Sequence, residues 1–84
     1  MTYEVFLLSP AQKDLDRMEA DIDRQLLRKI RTLAEDPRPM GSKKLTAEEG
    51  YRIRSGSFRI LYRIDDKNGR IYIYRIKNHK DAYT

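Results

Sequence analysis

The chain has 84 residues, 37% of them charged, with one histidine, no cysteine and a net charge of +5. Its length leaves room for one domain, spanning residues 1–84, and a chain this short buries only about 60–65% of its unfolded surface. The absence of cysteine excludes a disulfide framework and thiolate metal sites, and a single histidine argues against structural zinc, so no metal and no cofactor is expected. The apolar run at residues 5–8 is too short for a signal peptide or a membrane span. The expectation is a soluble, cytoplasmic protein with no membrane partner.

Charge is unevenly spread. Residues 1–37 carry a net −2 and residues 38–84 a net +7. A basic half on a mildly acidic domain is the footprint of a polyanionic partner. A basic face that only keeps the protein soluble is the plainer alternative. Aromatic residues interleave with the charges in strand-like segments, which favours the polyanion.

In chain order, residues 2–8 are β-branched and aromatic and predict a first strand. Ser9-Pro10-Ala11-Gln12 announces a helix, with Ser9 as cap, Pro10 in the first turn and Gln12 closing a capping box. Ala11, Leu15 and Met18 form its apolar stripe. Asp21 and Asp23 suit the start of a second helix, whose face carries Ile22, Leu26, Ile30, Leu33 and Ala34. Pro37 and Pro39 end it. A turn-rich loop runs over 37–48. Residues 51–54 and 58–64 alternate, joined by Ser55-Gly56-Ser57, and the Asn68-Gly69 step marks a hairpin before a last strand at 71–76. The order β-α-α-β-β-β predicts an α+β fold, an antiparallel sheet with a helical hairpin packed on one face. The other face has no helix left to cover it.

Side chains of a strand alternate between faces. If Tyr51, Ile53, Phe58, Ile60, Tyr62 and Ile64 pack on the helices, then Arg52, Arg54 and Arg59 converge on the open face. Residues 50–64 contain no Asp or Glu. A planar guanidinium matches phosphate oxygens, so this trio suits a phosphate. The alternative is a solvated face with arginine stems lying over apolar neighbours. In the tail, His79 titrates near neutrality, and nearby arginines would favour its neutral form. Tyr83 could equally be an apolar plug. Tyr62, Tyr72 and Tyr74 are expected in the core, the last two sharing a face with Ile76.

Lys43-Lys44-Leu45, Gly50-Tyr51-Arg52-Ile53-Arg54, Phe58-Arg59-Ile60-Leu61-Tyr62-Arg63-Ile64, Arg75-Ile76 and His79-Lys80-Asp81-Ala82-Tyr83 come in an order and at separations that resemble the RelE/ParE toxin superfamily. The resemblance covers nearly the whole chain. It implies the toxin of a type II toxin–antitoxin pair, neutralised by a cognate antitoxin. RelE-type members enter the ribosomal A site and cut mRNA, whereas ParE-type members poison DNA gyrase. The Asp81-Ala82-Tyr83 ending is similar to the RelE branch. A non-catalytic RNA-binding relative is a third reading.

The RelE-type reaction is attack of a ribose 2′-OH on the adjacent phosphate without a metal. The resemblance matches Arg52 and Arg54 to two basic positions that are often lysine. It matches Arg59 to a phosphate-binding arginine and Tyr83 to a catalytic tyrosine. His79 falls where the tail usually has arginine, and Asn78 stands where many members have histidine. Arginine is a poorer proton acceptor than lysine. Arg52, Arg54 and Arg59 are therefore expected to stabilise the phosphate, with proton transfers shared by His79 and Tyr83. Lys43, Lys44, Lys77 and Lys80 are expected to contact the RNA backbone. Glu48 and Glu49 are expected to be solvated loop residues.

Overall fold

The apolar stretch after Tyr3 forms β1 (Glu4–Leu7), followed by α1 (Ser9–Asp16) and α2 (Ala20–Glu35). Then come β2 (Lys43–Lys44), β3 (Tyr51–Ser55), β4 (Phe58–Asp65) and β5 (Arg70–Asn78). The structure is a computed structural model that describes residues 2–46 and 50–78.

Helix α1 opens one residue earlier than its capping signal suggests. Leu8 is the N-cap, and no side chain bonds the end of the helix. The reason is that Leu8 still belongs to the sheet, since its N–H donates to the Ile73 carbonyl at 2.9 Å. Ser9 is thus already helical, and Gln12 bonds Asp16 Oδ1 at 3.0 Å instead. Helix α2 carries Asp21 and Asp23 in its first turn, where negative charge suits the helix dipole. It buries Leu26, Ile30 and Leu33. These join Ala11 and Leu15 of α1 and Ile53, Ile60, Tyr62, Ile71, Ile73 and Ile76 of the sheet in one core. The helical hairpin therefore covers one face of the sheet, as the alternation predicts.

The sheet has the order β1-β5-β4-β3-β2. The pairs β2–β3, β3–β4 and β4–β5 are antiparallel, but β1 lies parallel to β5, so the sheet is mixed. The helical hairpin explains this pairing. It returns the chain to the end where β1 began, as the bond from Tyr3 N–H to the Ala34 carbonyl at 2.8 Å records. Strand β3 then starts in the direction of β1, and two hairpin turns bring β5 round to that direction again. The β3–β4 turn needs only Gly56 and Ser57, with Gly56 at φ +61°, a conformation glycine adopts without steric cost.

Strand β5 holds the main departure from simple alternation. Leu61 pairs with Arg75 but Tyr62 pairs with Ile73, so Tyr74 is an extra residue and the strand is bulged there. The inserted residue shifts the phase by one. Ile71, Ile73 and Ile76 all reach the core, while Tyr72 faces outward against Phe6, ring centroids 5.5 Å apart. Tyr72 and Ile76 therefore lie on opposite faces, which corrects the expectation that Tyr72 and Tyr74 share a face with Ile76. Past the bulge, β1 has ended and α1 runs beside β5. Asp14 accepts the Ile76 N–H at 2.8 Å and binds Arg75 Nε at 3.0 Å, so a helical carboxylate satisfies a strand edge that has lost its neighbour.

Candidate functional site

On the face away from the helices, Lys43 pairs across from Arg52, Arg54 across from Arg59, and Arg59 across from Lys77. Like charges directly opposite in a sheet destabilise it. The row concentrates positive charge that a ligand of opposite charge would complement. Lys43, Arg52, Arg54 and Arg59, with Gly41, line one cavity of about 390 Å³. No carboxylate is among these lining residues. The three arginines are thus brought together on one side of the sheet, and none of their guanidinium groups is turned toward the core.

Local geometry creates this convergence. The two-residue turn at Gly56 and Ser57 fixes the register of β3 on β4, which sets Arg54 opposite Arg59. Gly50 sets where β3 begins. Its φ is +122°, and a Cβ there would lie 2.6 Å from the Tyr62 carbonyl oxygen, so only glycine lets the backbone enter the strand at this point. Gly41, expected from the sequence only as part of the turn-rich loop, contributes a side-chain-free wall.

The other basic positions are distributed differently. Lys44 pairs with Tyr51 and does not line the cavity. Lys77 faces Arg59 in the register yet lines a separate cavity of about 600 Å³ beside Asp14, Phe58 and Arg75. His79, Lys80, Tyr83, Glu48 and Glu49 lie outside the described residues.

At the opposite end of the sheet, another arginine is held quite differently. Arg38 Nη2 lies 2.7 Å from Asp66 Oδ2, and its Nε donates to the Tyr51 hydroxyl at 3.1 Å. Tyr3 donates its hydroxyl to Asp66 Oδ1 at 2.7 Å. Tyr62 donates to the Pro37 carbonyl at 2.8 Å. Hydrogen bonds from Arg38, and then Tyr3, hold the Asp66 carboxyl below the usual carboxylate range. Burial pushes the Tyr62 phenol up to about 12. Together these bonds fasten the loop after α2, which carries Gly41 and leads into Lys43, to the β4–β5 hairpin. This clamp joins residues far apart in sequence and was not anticipated from it. Only the long run of turn-formers at 37–42 hinted that the loop needs fastening.

Residues 5–83 match the family described as "ParE toxin of type II toxin-antitoxin system, parDE". No curated protein matches the chain. Among solved structures, it is similar to the toxin–antitoxin complex RelBE2 from Mycobacterium tuberculosis, with 28% identity, TM-score 0.83, and coverage of 93% of this chain and 99% of that one. It is also similar to the archaeal RelE–RelB complex from Pyrococcus horikoshii OT3, with 26% identity, TM-score 0.79 and coverage of 94% and 97%. The YoeB/ParE toxin from Agrobacterium tumefaciens shares the fold at 18% identity, TM-score 0.76 and coverage of 90% and 98%.

Proposed function

We propose, for a chain that belongs to the ParE toxin family of type II toxin–antitoxin systems within the RelE/ParE superfamily, that it is a ribosome-dependent endoribonuclease that cuts mRNA in the A site. The observation that carries this reading is the single cavity lined by Lys43, Arg52, Arg54 and Arg59. Its lining is cationic, and planar guanidinium groups suit the oxygens of a phosphate. In this reading the ribose 2′-oxygen bonds to phosphorus, the bond to the 5′-oxygen breaks, and the arginines stabilise the charge that builds on the pentacoordinate phosphate. A guanidinium is a poor proton acceptor, so in this reading the three arginines supply charge and not a base. His79 and Tyr83 are assigned the two transfers, one taking the 2′-OH proton and the other protonating the leaving oxygen. Lys44, Lys77 and Lys80 add backbone attraction that weakens with salt. The reaction proceeds without a metal.

The partners follow from the same reading. The solved relatives include RelE–RelB and RelBE2 complexes. A cognate antitoxin would neutralise this chain too, an acidic segment covering the basic face and ordering as it binds.

Primer extension on mRNA translated by purified ribosomes, with the protein added, tests the proposal. Codon-positioned cuts that need the ribosome and survive chelation of divalent metal from the toxin are expected. Arg59→Ala should lower the rate by about 10²–10³-fold, the scale of losing one charge-stabilising donor. Undiminished cutting by that variant would remove Arg59 from the mechanism. The family's ParE description favours a second reading, inhibition of DNA gyrase. Gyrase-linked DNA breaks and an SOS response, with intact mRNA, would establish that reading instead.

A further inference from the structure

The open face continues past the phosphate cavity toward β1, and there its character changes from cationic to aromatic. Phe6 on β1 is 37% exposed and stacks on Tyr72 of β5, the rings inclined by only 20°. The Arg70 guanidinium carbon lies 5.9 Å above the Phe6 ring, and that of Arg63 lies 5.4 Å above the Tyr74 ring. Arg63 pairs across from Tyr72, which places these groups side by side on neighbouring strands. The β5 bulge makes this possible, because without the inserted residue Tyr72 and Ile76 could not take opposite faces.

Flat rings and flat guanidinium planes on a sheet face that neither described helix covers are what nucleic-acid bases stack on, and cations beside them hold the backbone. Among the described residues, the acids that pair into this patch are Glu4 and Asp65, both opposite Arg70 in the register. Against them stand Arg63 and Arg70 here, and Lys43, Arg52, Arg54, Arg59 and Lys77 further along the same face. The balance favours an anionic strand. Arg59 and Arg63 are four residues apart on β4, about 13 Å, and β1 lies two strands over at about 5 Å each. Phe6 is thus about 16 Å from Arg59, a reach of a few nucleotides.

We propose that Phe6 and Tyr72, with the guanidinium groups of Arg63 and Arg70, form a base-stacking platform for single-stranded RNA whose phosphate occupies the Arg52–Arg54–Arg59 cavity. The occupant's position rests on the ribonuclease reading, but stacking itself does not require cleavage. The platform would bind a base flanking the reacting phosphate and so set affinity rather than the rate of the chemical step. Phe6 and Tyr72 are positioning residues in this sense.

The test uses the full chain and two RNA probes, a dinucleotide and a hexamer carrying 2-aminopurine away from the end that enters the cavity. The hexamer should bind about tenfold more tightly than the dinucleotide, as one stacked base contributes, and its fluorescence should be quenched on binding. Phe6→Leu and Tyr72→Leu keep apolar cover over the sheet and remove the π face. Each should erase most of the length advantage and the quench while leaving dinucleotide binding unchanged. Arg63→Gln alters an exposed residue and should lose two- to threefold, a check that stands if a Leu variant fails to fold. A length advantage that survives all three substitutions would overturn the platform. So would an acidic peptide whose binding depends on Phe6 when RNA binding does not. The outcomes separate the two proposals. If Arg59→Ala still cuts mRNA but the hexamer advantage depends on Phe6, the platform stands and the catalytic role falls. If Arg59→Ala abolishes cutting while the platform variants bind as the original does, only the platform falls.

Discussion

Two regions of this small sheet use arginine in opposite ways. At one end Arg38 is fixed by Asp66 and Tyr51, with Tyr3 completing the carboxylate's bonds. At the other, Arg52, Arg54, Arg59 and Lys43 line one cavity, with no acid among its described lining residues. The first arrangement spends its charge on holding a loop. The second sets basic residues opposite one another across neighbouring strands and gathers them around one cavity. The difference shows why an arginine count says little about function. What matters is where the fold places each cation and which groups it sets beside it.

The sharpest way to break this comparison is to give the cavity an acid. Arg54→Glu sets a carboxylate directly opposite Arg59, giving the cationic end an acid like the one at the clamped end. In the primer-extension assay cutting should fall by at least about 10²-fold. Calorimetry should show the melting temperature at least retained, since an opposite-charge pair directly across strands contributes roughly 0.2–1 kcal/mol. A variant that lost both activity and stability would mean that Arg54 supports the fold as well as the cavity.

Gly50→Ala probes what positions both regions, since β3 carries Tyr51 at one end and Arg54 at the other. A side chain at this backbone angle, jammed against the Tyr62 carbonyl, should cost about 3 kcal/mol, measurable by urea unfolding. Tyr62→Phe removes the bond to Pro37 and should cost about 1 kcal/mol. It also carries an alkaline signature. A phenol raised from its ordinary value near 10 to about 12 contributes stability that is full below pH 10 and lost as pH climbs toward 12. The phenylalanine variant should lack that decline.

The smallest expected effect belongs to Asp66→Asn. Asp66 titrates below its unfolded value, so its contribution is complete above the ordinary carboxylate pKa and disappears as pH falls through the lowered one. Acid unfolding curves should therefore converge for the variant and the original protein at low pH and separate near neutrality, with cutting at neutral pH largely preserved. A large loss of cutting would mean that the clamp and the cavity are one device, not two.

The fold was legible in this sequence wherever interactions are local. Alternation in β3 and β4 assigned Arg52, Arg54 and Arg59 to one face because both strands keep an unbroken period and a two-residue turn joins them. Prolines after α2 ended the helix as expected. Longer-range features were not legible. The Arg38–Asp66 contact spans 28 residues, and nothing in either neighbourhood names the other. The bulge at Tyr74 is a slip of one residue that no composition signals, so Tyr72 was assigned to the wrong face. Strand β2 has only two residues, formed by pairing with β3 and not by any propensity of Lys43 and Lys44. Of the candidate site, the arginines were readable and their cross-strand neighbour Lys43 nearly so. Gly41 was not, because it acts through the side chain it lacks.

Asp14 has a consequence for how this protein behaves in a crowd. Beyond Ile73, β5 would present bare amide groups to any passing strand, and such a margin invites chains to zip together. A carboxylate reaching down from α1 occupies the Ile76 amide and recruits Arg75 beside it. A foreign strand would have to evict a charged acceptor to dock there. The Ile76 position on that margin is thus guarded by a charged side chain, and Asp14→Ala should leave it prone to clumping at high concentration.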